Sequence, residues 1–212
     1  MKAILITLMM LGVPGWYTGP EDRAEQILNQ AHTKMESLRD FSANFSFVMQ
    51  APRSTAKPVQ QTGKFRYKKG MYAILLPDQE VYCDKVAQWI FLKQDKEVNI
   101  LKYDPADAFS VESLFKLYKA NGKARYDGLE TVHGVSCHRI YLALTDPALD
   151  YNQVVLWINE STSILEKAAL TDRRQTVTTY EFADIRLNQG LLDTAFRFDA
   201  AKHPGVTVID ER

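Results

Sequence analysis

What most constrains this chain is a repeated period of two. From Phe41 to Gln50 the odd positions are Phe41, Ala43, Phe45, Phe47 and Met49, and the even ones are Ser42, Asn44, Ser46, Val48 and Gln50. Successive side chains of an extended strand point to opposite faces, so this stretch reads as a half-buried strand with one aromatic face. The pattern returns from Thr62 to Tyr67, where Phe65 and Tyr67 alternate with Lys64 and Arg66, and Lys69-Gly70 makes a turn. Short apolar runs follow at 71–76, 80–83, 88–92 and 97–103, separated by Pro77-Asp78, Asp84-Lys85 and Gln94-Asp95. A second series occupies 124–129, 135–145, 151–158, 164–171 and 176–187, broken at His133-Gly134, Asp146-Pro147, Asn159-Glu160 and Asp172-Arg173. The tail offers short strands at 196–198 and 206–209. A chain with about ten or eleven strands and a turn roughly every 8–12 residues builds a large antiparallel sheet that must curl.

Two segments change period. Ala24, Ile27, Leu28, Ala31, Met35 and Leu38 form one apolar stripe at helical spacing, with Glu21, Asp22 and Glu25 in the first turns, where the helix dipole favours negative charge. A second helix is expected over 107–120, with Phe109, Leu114, Phe115, Leu117 and Tyr118 apolar and Asn121-Gly122 as its stop. Helices laid on the concave face of the curled sheet give a mainly β, α+β domain. Asp104 and Asp107 flank Pro105 ahead of this second helix and suit helix capping better than chemistry.

The first residues form a separate unit. Lys2 precedes an apolar run that ends near Val13 and is broken by Pro14-Gly15. A run this short does not span a bilayer, and it matches a signal peptide cleaved after Gly15. The expected division is a signal segment at 1–20 and a single domain at 21–212, working outside the cytoplasm. No cysteine follows the apolar run, so the pattern for a lipid-anchored form is lacking there. The two cysteines, Cys83 and Cys137, could pair in an oxidising compartment, but two in 212 residues are not a disulfide framework, and buried thiols are the favoured reading.

Formal net charge is zero, and no basic stripe marks a nucleic-acid binder. Nucleophile-elbow, phosphate-loop, zinc-helix and dinucleotide motifs are missing, so no enzyme, metal or cofactor is expected. His133-Gly134-Val135-Ser136-Cys137-His138 invites a metal reading, yet Cys137 and His138 are adjacent on a strand and point to opposite faces. His32 and His203 are isolated, which suits surface positions. What remains is aromatic and aliphatic. Phe41, Phe45, Phe47, Met49, Phe65, Tyr67, Trp89 and Phe91 can line one concave face, although Ile90 and Leu92 are apolar too. Ordinary core packing would account for such a face, but a sheet this large encloses more volume than two helices fill, and large half-barrels tend to hold ligand cavities.

Several motifs, taken in order, resemble the LolA family of periplasmic outer-membrane lipoprotein carriers. Leu38-Arg39-Asp40-Phe41-Ser42-Ala43-Asn44-Phe45 is similar to the family's entry from helix to first strand. Gly63-Lys64-Phe65-Arg66-Tyr67-Lys68-Lys69 resembles its strand ending in a basic doublet, and Asp84-Lys85-Val86-Ala87-Gln88-Trp89 its turn before a tryptophan. Phe196-Arg197-Phe198 and Pro204-Gly205-Val206-Thr207-Val208 match the tail, the most specific piece. The chain departs from the family in having Lys68-Lys69-Gly70 in place of Lys-Arg-Pro, and Asp84-Lys85 in place of Asp-Gly. The resemblance implies an unclosed antiparallel barrel of about eleven strands, with helices closing its hollow. It implies a monomeric carrier of acylated lipoproteins, loaded by an inner-membrane lipoprotein-releasing ABC transporter and unloaded at an outer-membrane acceptor. The lipid site would be Phe45, Phe47, Met49, Phe65, Tyr67, Trp89 and Phe91. The lid would comprise Phe109, Leu114, Phe115 and Leu117, with Lys69 holding it shut at a helix end. Other roles for such a fold are a lipid-sensing or lipid-binding module and, with an anchored N-terminus, a lipoprotein acceptor.

Overall fold

The computed structural model describes residues 19–104, 122–147 and 149–212. The chain opens with α1 (Pro20–Ser37), whose start is fixed by Pro20 and by the Gly19 N–H donating to the Asp22 carboxylate at 3.2 Å. Then come β1 (Phe41–Gln50), β2 (Val59–Lys68), β3 (Met71–Leu75), β4 (Gln79–Cys83), β5 (Ala87–Leu92) and β6 (Glu97–Lys102). The second half holds β7 (Gly122–Val132), β8 (Val135–Leu144), β9 (Tyr151–Asn159), β10 (Leu165–Asp172) and β11 (Val177–Leu187). Two short 3₁₀ turns, Asp193–Phe196 and Ala200–Lys202, lead to β12 (Thr207–Asp210).

These strands form one unclosed sheet in the order β12-β6-β5-β4-β3-β2-β1-β11-β10-β9-β8-β7. It is built as two meanders, β1 to β6 and β7 to β11, zipped together by the antiparallel pair β1–β11. Only β12 is parallel to its neighbour, β6. The architecture is mainly β with one helix among the described residues, an open half-barrel of twelve strands where about eleven were expected. The tail differs in detail from expectation: Phe196 closes a 3₁₀ turn instead of starting a strand at 196–198. The expected second helix, with Phe109, Leu114, Phe115 and Leu117, lies outside the described residues, as does the signal-like segment up to residue 18. No described helix is long and apolar enough to cross a membrane.

Cross-strand register divides the side chains between two faces. Phe41, Ala43 and Phe45 of β1 lie opposite Tyr67, Phe65 and Gly63 of β2, and Phe65 lies opposite Ile74 of β3. On the other side Phe45 and Phe47 lie opposite Phe182 and Tyr180 of β11. This concave face carries the main core, which continues through Leu170, Leu156, Ile140 and Ala124 to the β7 edge. There α1 contacts β7 and buries Ala24, Ile27, Leu28 and Ala31. Burying an aliphatic side chain the size of Ile27 or Leu28 is worth about 1.5–3 kcal/mol, which is how the stripe seats the helix.

The outer face has its own cover. After β11 the chain crosses back over β1 to β5 as a strap. Its first turn packs on β3, and Phe196 is fully buried. Asp40 ties the beginning of the strap: its carboxylate, only 1% exposed, accepts the N–H groups of Gln189, Gly190 and Leu191 at 2.7, 2.8 and 3.1 Å. Lys68 holds the next residues, donating to the Leu191 carbonyl at 2.6 Å and pairing with Asp193 at 2.7 Å. Asp84 receives Arg197 at 2.8 Å. Phe198 stacks on His203 and packs on Tyr82 and Phe91, and β12 then joins the edge of β6.

Candidate functional site

The concave face is not filled evenly. Where β1, β2, β3 and β11 meet, seven side chains enclose a hollow of about 320 Å³: Phe45, Phe47, Phe65, Ile74, Leu76, Tyr180 and Phe182. The volume lies within the range of small-molecule sites, roughly 300–1,000 Å³. Register creates the wall. Phe47 faces Tyr180 and their rings are 6.0 Å apart, while Phe65 and Phe182 approach at 6.4 Å and Phe41 packs edge-on against both. Gly63, opposite Phe45, is what lets the ring lie down. A Cβ there would sit 2.9 Å from the Phe45 ring and 2.5 Å from the Leu75 carbonyl oxygen.

None of the seven wall residues carries a formal charge at neutral pH. Burial pushes the Tyr180 phenol above its ordinary range, so it stays protonated. Further along the same face burial does likewise for Tyr72 and for the Cys83 thiol beside it. Such a surface can solvate hydrocarbon and offers nothing to hold a bare ion.

The expected lining residues are divided by the structure. Phe45, Phe47 and Phe65 are on the wall. Tyr67 is on the same face, opposite Phe41, but joins the packed core beyond the hollow. Met49 is at the rim and 42% exposed, because the sheet ends there. Trp89 and Phe91 are corrected outright. They lie opposite Tyr82 and Glu80, pointing to the outer face, where Phe91 meets Phe198 and His203. Ile90 and Leu92 take the concave side. The whole run is apolar because the strap covers one face and the core the other, so alternation could not choose between them. The residues missed are Ile74, Leu76, Tyr180 and Phe182. Their two-residue spacing, opposite the Phe45–Phe47 and Phe65 positions, was the available signal.

Lys69 stands at the exposed apex of the β2–β3 hairpin with φ of 48°, beside Gly70 at 87°. Positive φ at both positions suits a tight two-residue hairpin turn. The helix it was expected to hold lies outside the described residues, and it is the neighbouring Lys68 that grips the strap. Cys83 and Cys137 are both buried free thiols, one in the concave core and one in a cluster with Val132, Val155 and Trp157 on the outer face. His138 faces the concave side, with Nδ1 3.4 Å from the Tyr126 hydroxyl, so it and Cys137 diverge.

No protein-family model and no curated protein sequence matches the chain. Solved structures do resemble it. An uncharacterized conserved protein from Thermus thermophilus has a TM-score of 0.59 at 8% identity, covering 89% of this chain and 99% of that one. MucB has a TM-score of 0.52 at 16% identity, covering 84% and 63%. Solved structures of the LolA type are also among the neighbours: a LolA superfamily protein from Nitrosomonas europaea has a TM-score of 0.43 at 13% identity, covering 83% and 98%. At these identities the likeness is one of fold.

Proposed function

We propose that this chain is an envelope carrier that binds acyl chains in the concave hollow and ferries lipoproteins from the inner to the outer membrane. It is exported, works as a monomer in the periplasm, and performs no catalysis. It takes its cargo from a lipoprotein-releasing ABC transporter and delivers it to an outer-membrane acceptor. The observation that carries this reading is the uncharged, largely aromatic wall of Phe45, Phe47, Phe65, Ile74, Leu76, Tyr180 and Phe182 on the inside of an open sheet. The physics asks for such a wall. Each methylene moved out of water is worth about 0.8 kcal/mol, so an acylated protein crosses an aqueous gap only with its chains covered. An open sheet also leaves a way out for the cargo, which a closed barrel of similar lining would not.

The test is native mass spectrometry of the protein purified from an envelope with and without a co-expressed triacylated lipoprotein. The expected species is a one-to-one complex that dissociates when Phe47 and Phe182 are both changed to aspartate. Free lipid alone, bound equally with and without the lipoprotein, would mark a lipid-binding or sensing module and refute the carrier.

A further inference from the structure

The hollow is the first of three that share walls. Phe45, Leu76 and Phe182 also border a groove of about 610 Å³ that runs past Gly63, Lys64 and Pro77. It passes where β2 continues beyond the end of β3: the β2–β3 ladder stops at Lys64–Leu75, while β2 extends back to Val59. Lys93 borders this groove and also a third hollow, of about 340 Å³, on the outer face. Phe91 and His203 form one side of that third pocket, and Lys93, Lys96 and Lys202 the other. The groove thus meets the apolar chamber at Phe45, Leu76 and Phe182, and meets at Lys93 a pocket rimmed by three lysines and a histidine.

The charges at the outer pocket do not cancel. Lys93 is 3.0 Å from Glu80 and also donates to the Leu76 carbonyl at 2.8 Å, which fixes it at the junction of groove and pocket. Lys202 pairs with Asp199 at 3.2 Å on the surface. Lys96 is exposed, at φ of 51° in the β5–β6 turn, and no ion pair to it is found among the described residues. His203 is held in place by stacking on Phe198, with centroids 4.8 Å apart and 18° between planes. The aromatic side gives the pocket a fixed wall, and the ammonium groups at its rim supply the N–H donors that suit an oxyanion.

We propose that the outer pocket takes the anionic headgroup, a phosphate or carboxylate, of an amphiphile whose acyl chain lies in the concave hollow. This rests on the carrier reading and adds the class of cargo to it: the ligand is an acidic lipid or acylated molecule, with its charge near Lys93, Lys96 and Lys202. The chain supplies hydrophobic free energy, and the headgroup supplies selectivity.

Competition binding on the full chain tests it, with a fluorescent fatty-acyl probe displaced by three ligands. Lysophosphatidic acid and monoacylglycerol of equal chain length differ in the charged head, and glycerol phosphate has the head without the chain. The expected result is roughly a tenfold preference for lysophosphatidic acid over monoacylglycerol, weakening as salt rises. Lys96→Glu with Lys202→Glu should abolish that preference and leave monoacylglycerol binding unchanged. Lys96→Gln with Lys202→Gln should lose it in part. Equal affinity for the two lipids in the wild type, or a preference that survives both double variants, would overturn the headgroup site while leaving the carrier intact. Glycerol phosphate binding as tightly as the lipid would make the pocket a free-anion site and overturn its link to the hollow. If neither lipid displaces the probe, the carrier reading falls and the headgroup site with it.

Discussion

Replacing Asp40 is the sharpest test of how the strap is held. Its carboxylate lies inside the protein, where burial alone would raise its pKa. The N–H groups of Gln189, Leu191 and Gly190, with Arg39 nearby, outweigh burial and hold it below the usual carboxylate value. Each hydrogen bond to a charged acceptor contributes about 1.5–3 kcal/mol. Gln189 and Gly190 are exposed, so water recovers part of what their N–H groups lose. Asp40→Ala should therefore cost about 3–5 kcal/mol, below the simple sum of three such bonds. Asp40→Asn keeps the shape but turns a donor toward N–H groups, and should cost about 2–3 kcal/mol. The assay is urea denaturation followed by far-UV circular dichroism, paired with hydrogen exchange of residues 189–198. The strap amides should lose protection well before those of β1 or β11. The pH dependence follows from the sign of the shift. A carboxyl whose folded pKa lies below its unfolded value stabilises the protein above the unfolded value, about 4, and loses that contribution as pH falls through the folded one. Wild type should thus lose stability in acid more steeply than Asp40→Asn. A loss under about 1 kcal/mol for Asp40→Ala, with strap exchange unchanged, would refute the clasp.

Four further outcomes follow. Phe182→Ala should destabilise the domain by roughly 3 kcal/mol, as expected for a large core truncation, and should weaken acyl-probe binding in the same titration. With Trp16 and Trp157 changed to Phe, Trp89 emission should change little when the acyl chain binds, because the ring faces outward, whereas Tyr180→Trp with all three native tryptophans changed to Phe should shift; the opposite pattern would put the acyl chain on the outer face. Thiol labelling of the unfolded, unreduced protein should find Cys83 and Cys137 both free, and a single disulfide would contradict their placement on opposite faces of the sheet. Gly63→Val should lower stability by more than about 1 kcal/mol, since a side chain there meets the Leu75 carbonyl, and Phe45→Ala should not rescue it fully.

The strand meander was legible because turn residues punctuate it, and the concave face of β1 because Ser42, Asn44 and Ser46 leave its other side polar. The same logic failed at Gln88–Leu92, where both faces are covered and Trp89 and Phe91 look inward by hydropathy alone. The hollow was half visible. Phe45, Phe47 and Phe65 lie in locally alternating strands, but their partners Tyr180 and Phe182 arrive from a strand far along the chain, and no local pattern sets that register. The motifs that carried the family resemblance also have a structural role in this chain. Asp40, Lys68, Asp84 and Arg197 are all strap clasps, and Phe198 is its outer packing residue. Sequence showed their types and spacing; which group each one holds depended on where the tail crossed the sheet.

The joint between the two meanders sets the order in which this protein can be assembled. Phe41 pairs with Leu187 and Gln50 with Val177, so the centre of the sheet is a contact between distant parts of the chain. Until β11 is made, β1 and β10 are both bare edges, and until the strap is made the outer face of β3 to β5 is uncovered. Contacts of such long range form slowly, because loop closure must precede their reward. The sheet therefore stays incomplete until β11 and the strap are made, a long window in which two open edges can find the wrong partner.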